Sequence, residues 1–236
     1  MRLQATFLLL FSCLGLAQTP DSALVEGVRL LEEGRTTLEE KPLTNARNYF
    51  SHLVQTNKKP VYFYQLARAN SYLVESYAAR HENKHAEEAL EDAIAAVQHC
   101  LESDDKSADA HSLLANLYGR KISLGGFLAG PRFGPRIVAE NKKALELAPN
   151  DALVYASLGR QYLYAPKMFG GDVAKAIDNF LKATHLDPSS DENFVWLAIA
   201  YHKGGDAPNS EKALRQAMQL NPRSAFAKAA ATGSIR

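Results

Sequence analysis

The chain has 236 residues, 46% of them apolar and 22% charged, a balance that supplies a sizeable core and excludes a disordered tail. Ala (36) and Leu (31) far outnumber Val, Ile and Thr together (24), which favours helices and argues against a large β-sheet. With 27 basic against 26 acidic residues the formal charge is +1, so no global field would hold nucleic acid or an anionic membrane, and partners must be chosen by local surfaces.

In chain order, residues 1–17 read as a signal peptide: Arg2, an apolar run from Leu3 to Leu14, then the small-x-small triplet Gly15-Leu16-Ala17, leaving Gln18 as the mature start. Export to the periplasm or medium follows from this reading. A lipid anchor at Cys13 is the alternative, and it needs a small aliphatic residue where Phe11 stands. No later run reaches the ~18–20 apolar residues of a membrane span. Without Cys13 the chain keeps Cys100 alone, which reads as a small buried apolar residue.

Residues 21–33 and 45–55 are amphipathic, with Ala46, Phe50 and Leu53 on one face, and make a first helical hairpin at about 21–58. Phe63, Leu66, Ala67 and Asn70 open a second, 60–105, closed by Ala93, Val97 and Cys100 after a long excursion. His111, Leu114, Ala115 and Tyr118 open a third, 107–149, closed by Ala144 and Pro149 after ten inserted residues. Tyr155, Leu158, Gly159 and Tyr162, then Ala176, Phe180, Ala183 and Pro188, give a fourth, 150–188, with five residues inserted. Phe194, Leu197, Ala198 and Tyr201, then Ser210, Leu214, Ala217 and Pro222, give a fifth, 189–222. A short helix in 223–236 would cap the end.

The last two units agree in type and spacing at eight positions and resemble the tetratricopeptide repeat (TPR). Small residues let antiparallel helices approach, large ones fill the space between pairs, and the proline ends each unit. The resemblance implies an all-α, right-handed TPR-type solenoid, one domain over 18–236, whose first helices line a concave groove that holds a peptide or protein segment. Tyr64-Gln65-Leu66-Ala67-Arg68-Ala69 and Ala165-Pro166-x-x-Phe169-Gly170-Gly171-Asp172-x-x-Lys175-Ala176 also resemble the T component of tripartite ATP-independent periplasmic (TRAP) transporters and the regulator-of-microtubule-dynamics family. The former implies a periplasmic accessory protein of transport.

By register, Arg68, Asn116, Arg160 and Ile199 occupy one groove position, and Tyr72, Arg120, Tyr164 and Lys203 the next turn, with Tyr64 beside them. A strip of guanidinium, amide and phenol groups suits a carboxylate or an acidic peptide. The two insertions carry the other candidates: Phe127, Arg132, Phe133 and Arg136 in the third unit, Met168, Phe169, Gly170 and Gly171 in the fourth. Equivalent loops of adjacent repeats should lie side by side, as binding loops on a rigid scaffold or as cover for the core. Charge divides sharply nearby: 120–143 has six basic residues and one acidic, 82–109 nine acidic and two basic, so they either satisfy each other or leave a basic face for an anion.

His81-Glu82-Asn83-Lys84-His85 spells H-E-x-x-H, the zinc-hydrolase spacing. Lys84, the absence of a third ligand and the expected inter-helix turn at Asn83-Lys84 argue against zinc at His81 and His85. No nucleophile elbow or phosphate loop is present. The sequence therefore favours a non-enzymatic, cofactor-free scaffold for a protein or peptide partner. A carrier of a small anionic or apolar ligand is the alternative, and a zinc hydrolase using Glu82 the remote one.

Overall fold

A computed structural model describes residues 21–233, so the expected leader, Cys13 and the end of the cap lie outside it. Every regular element within that range is helical. The α-helices are α1 (Ser22–Thr37), α2 (Glu40–Thr56), α3 (Pro60–Ala79), α4 (Asn83–Ser103), α5 (Ala108–Gly125), α6 (Gly130–Leu147), α7 (Ala152–Tyr164), α8 (Val173–Leu186), α9 (Asp191–Lys203), α10 (Ala207–Leu220) and α11 (Ala225–Ala231). Two 3-10 turns, Phe127–Ala129 and Lys167–Phe169, interrupt the third and fourth units.

Consecutive helices pack as five hairpins, and α11 closes the last. The first helices α1, α3, α5, α7 and α9 also touch one another in order, whereas among the described residues no second helix touches another second helix, so the array curves with the first helices inside. Most first helices are started by a side-chain cap: Asp21, Ser107, Asp151 and Ser190 each accept a backbone N–H of the following turn. Close approach within the fourth hairpin needs Gly159, since a Cβ there would lie 2.6 Å from the buried Phe180 ring.

The core forms three blocks. Leu31, Ala46, Phe50 and Ala69 join hairpin one to α3; Leu73, Leu90, Val97, Cys100 and Leu117 fill hairpins two and three; Phe180, Val195, Trp196 and Ala217 fill hairpins four and five. Cys100 is buried, and burial with Asp104 nearby pushes its thiol up to about 11. Between the second and third blocks runs a polar seam, where Ser157 Oγ lies 2.7 Å from Asn141 Oδ1 and Asn141 Nδ2 donates to Gln161.

Two expectations need correction. The excursion in the second hairpin is not a loop: α3 and α4 are 20 and 21 residues long and are joined by residues 80–82 alone. The ten-residue insertion of the third unit is also largely helical, because α5 runs to Gly125 and α6 restarts at Gly130. Pro131 sits in the first turn, where its missing N–H is no loss, and Pro135 removes one bond near the helix start. The array also closes on itself. Helix α1 lies against α11, so its two ends meet.

Candidate functional site

Three of the register positions, Arg68, Tyr72 and Arg120, are tied to carboxylates that the repeat pattern did not single out. Arg68 on α3 donates to Gln65 and to Glu32 of α1, at 2.9 and 3.2 Å. Tyr72 O–H donates to Glu192 of α9 at 3.0 Å, and burial together with Glu192 drives its phenol upward. Arg120 on α5 is held by Glu75 of α3. Arg35 of α1 closes the set, reaching Glu32 at 2.5 Å, Asp191 at 3.0 Å and Glu192 at 3.2 Å. Burial opposes that guanidinium's charge, and the carboxylates around it more than compensate, raising its pKa.

Arg160 on α7 differs. Its Nε–H donates to Asn116 Oδ1 at 2.9 Å, and its guanidinium lies 5.2 Å from the Trp196 ring centroid. Burial lowers its pKa from the usual guanidinium value; Glu192 and Tyr72 raise it in part, and Arg120 lowers it again. Tyr164, half exposed, meets Trp196 edge-on at 6.2 Å. Lys203 donates to the Leu163 carbonyl at 2.9 Å, with its ammonium 5.1 Å from the Tyr164 ring. Tyr64 is part-buried against the core of hairpins two and three, and burial raises its phenol. Ile199 turns into the core instead of the groove.

Charge is ordered along the first helices. Asp109, Asp151, Asp191 and Glu192 stand at or beside the N-termini of α5, α7 and α9, and Lys203 ends α9, which complements the helix dipoles. Asp109 feels this crowding: burial and Asp151 raise its pKa against the pull of Arg68.

The insertion residues divide. Phe133 packs on the core with its ring 5.5 Å from Tyr118. Arg132 and Arg136 stack on Phe133 at 5.1 and 5.7 Å, beside a cavity of about 210 Å³ bordered by Glu91, Ile94 and Gln98. Neither has a carboxylate partner among the described residues, whereas Lys121 pairs with Glu91. The turn Lys167–Phe169 instead exposes Met168 (82%) and Phe169 (68%) to solvent. It is tightly tied: Gly171 N–H donates to Pro166, Asp172 N–H to Tyr162, and Asp172 caps α8. Gly170 has φ 89°, and a Cβ on Gly171 would overlap the Ala165 carbonyl. The two 3-10 turns do not touch, contrary to the side-by-side placement expected of them.

The H-E-x-x-H segment is not on one helix. His81 lies in the inter-helix turn with φ 60°, Glu82 precedes α4 and pairs with Arg80, and His85 belongs to α4. Among the described residues no three His, Cys, Asp or Glu side chains gather as metal ligands. That geometry does not build a zinc-hydrolase centre. Also among the described residues, no helix is long and apolar enough to cross a membrane.

Stacked helical hairpins with first helices lining a charged concave face define a helical-repeat protein of the TPR type. Within that class, residues 24–165 match the model of the "Regulator of microtubule dynamics protein 1-3" family, and the chain belongs to it. Rat regulator of microtubule dynamics protein 3 is 28% identical over 233 aligned positions, covering 88% of this chain and 49% of the rat protein. Tetratricopeptide repeat protein 37 of Xenopus laevis is 33% identical over 89 residues, 37% of this chain and 6% of that protein. The chain thus spans about half the length of the first relative and a small part of the second. In fold it is similar to TTC0263, a thermophilic TPR protein of Thermus thermophilus, with TM-score 0.67, 17% identity, and coverage of 90% of this chain and 97% of that one.

Proposed function

We propose that this protein is a non-catalytic scaffold that holds a segment of a protein partner along its concave face and against the Lys167–Phe169 turn. The observation that carries the reading is the turn itself. Two large apolar side chains, Met168 and Phe169, are presented to water on a loop fixed by four backbone hydrogen bonds, at the end of the helix that carries Arg160 and Tyr164. Exposing such groups opposes the hydrophobic effect, and a rigid mount lowers the entropy lost when a partner covers them. The TPR-type architecture supports the same reading, since stacked first helices supply a continuous surface for a partner segment.

A photo-crosslinking amino acid placed at Phe169 or Tyr164 tests it. A discrete protein adduct is expected from both positions and not from Leu181, an exposed apolar residue on α8. No adduct at 169 and 164, or the same adduct at 181, would remove the groove and turn from consideration.

The finer assignment, export with a periplasmic role in transport, rests on the leader-like residues 1–17 and on the resemblance of two short segments to TRAP T components. N-terminal sequencing of the processed protein should begin at Gln18; acylated Cys13 would replace soluble export by a lipid anchor. The microtubule role in the rat protein's name belongs to a chain about twice as long and is not carried over.

A further inference from the structure

Asn70 of α3 is only 3% exposed, yet its side-chain amide has no hydrogen-bond partner among the described residues. The amide is not sealed in, because Ser112 Oγ is the sole enclosed side-chain N or O atom without a partner among those residues. It opens into a cavity of about 460 Å³ outside the concave groove, bordered by α3 below and by α2 and α4 on either side.

The repeat register explains the space. Asn70 stands at the position that Tyr118, Tyr162 and Tyr201 take in the third, fourth and fifth hairpins, where each ring packs on its core block. A short amide in place of a phenol leaves the volume of the ring unfilled and puts two donors and an acceptor at the floor. Phe63, Leu66 and Ala95 wall the cavity, and Phe63 is backed by His99, their rings 5.5 Å apart. The lining also carries one cation, Arg47 of α2, and one anion, Asp92 of α4. Arg47 donates to Asn48, and neither charge has an ion-pair partner among the described residues.

Apolar walls, a polar floor and a lining in which Arg47 and Asp92 cancel in charge suit a neutral ligand with an apolar body. A ligand that displaces solvent from the floor must return both a donor and an acceptor to the amide, since a buried polar group left unmatched opposes binding. Another amide has that pair on adjacent atoms.

We propose that this cavity binds a neutral small molecule bearing an amide, whose N–H and C=O pair with the Asn70 amide while its apolar body lies against Phe63 and Leu66. The site is separate from the concave groove and stands or falls independently of the partner segment held there.

Benzamide is the probe, with acetophenone, which lacks the N–H, and benzoate, which is charged, as near-isosteres. In isotope-labelled protein the side-chain N–H resonances of Asn70 are identified by their loss in Asn70→Leu. Benzamide should displace them saturably, and acetophenone and benzoate should bind about tenfold more weakly. Asn70→Leu keeps the cavity and removes both hydrogen bonds, so the affinity followed at the Ala95 and Ala96 backbone signals should also fall about tenfold. Asn70→Tyr fills the space with the residue the later hairpins use, and should abolish binding with the melting temperature unchanged or raised. Should Asn70→Tyr fail to fold, Asn70→Leu decides.

Undisplaced Asn70 resonances at the solubility limit of benzamide, equal displacement by acetophenone or benzoate, or unchanged affinity in the Asn70 variants would overturn the site. A protein adduct from a photo-crosslinking amino acid at Ala95, with benzamide silent, would overturn it in favour of a partner surface.

Discussion

Asp21 ties the start of α1 to the start of α3: its carboxylate caps Ala23 and Leu24 and accepts from Lys59 at 2.7 Å and Tyr62 at 2.6 Å. Those two side chains hold its pKa at about 2, below the ordinary 3.8. A carboxyl depressed on folding contributes stability that is complete above about pH 4 and is lost as pH falls towards 2. Asp21→Asn keeps a capping side chain and removes the titration, so its melting temperature should fall less than that of the wild type between pH 5 and pH 2. Parallel curves would assign acid sensitivity to other carboxyls. At Gly159 the constraint is steric. Gly159→Val would drive a branched side chain into the buried Phe180 ring, and a loss of about 1–3 kcal/mol in urea unfolding is expected. Here the sequence was readable in full, because a small residue opposite a large one is the local signature of two helices in contact. The carboxylates of the groove were not readable. Glu32 meets Arg68 across 36 positions and Glu192 meets Arg35 across 157, and no local spacing encodes a pair made by the curvature of the whole array.

At the scale of elements, the fourth and fifth hairpins follow the repeat because each residue type there is set by helix approach, and their boundaries fall where the prolines and capping residues place them. In the second and third hairpins the helices are several residues longer, so the spacing slips without any break in the fold. Gly130, Gly134 and Pro135 suggested a loop, yet α6 accepts them near its start, and the insertion became one more face of the core. Only 165–172 is a true excursion. Its conformation depends on Gly171, whose place against the Ala165 carbonyl admits no side chain. Gly171→Ala should release the turn: trypsin would cut after Lys167, the crosslink at Phe169 would weaken, and helical content would stay within a few per cent of the wild type. Resistance to trypsin would show that the turn is held by Asp172 and its helix cap alone.

For the whole molecule the decisive feature is closure. Curvature with the first helices inside brings α1 against α11, and Arg35 joins α1 to the start of α9, where Asp191 is also held by Asn221 at 3.0 Å. Arg35 of α1 and Tyr72 of α3 both reach Glu192 of α9 across the concave side, so closure restricts the way in and parting of the ends would widen it. Arg35 is 19% exposed and Asp191 6%, placing the pair between a surface ion pair, worth at most about 1 kcal/mol, and a buried one, whose disruption costs about 3–5 kcal/mol. Arg35→Met should therefore cost about 1–3 kcal/mol, and, by leaving Asp191 and Glu192 without their cation, raise the radius of gyration measured by small-angle X-ray scattering. Glu192→Gln alone should have a smaller effect, because Asp191 retains the guanidinium, and the Arg35→Met/Glu192→Gln pair should be less destabilised than the sum of the two. Peptide association should become faster in Arg35→Met if the ends part during binding. An unchanged radius with unchanged association would instead place closure in the packing of α1 on α11.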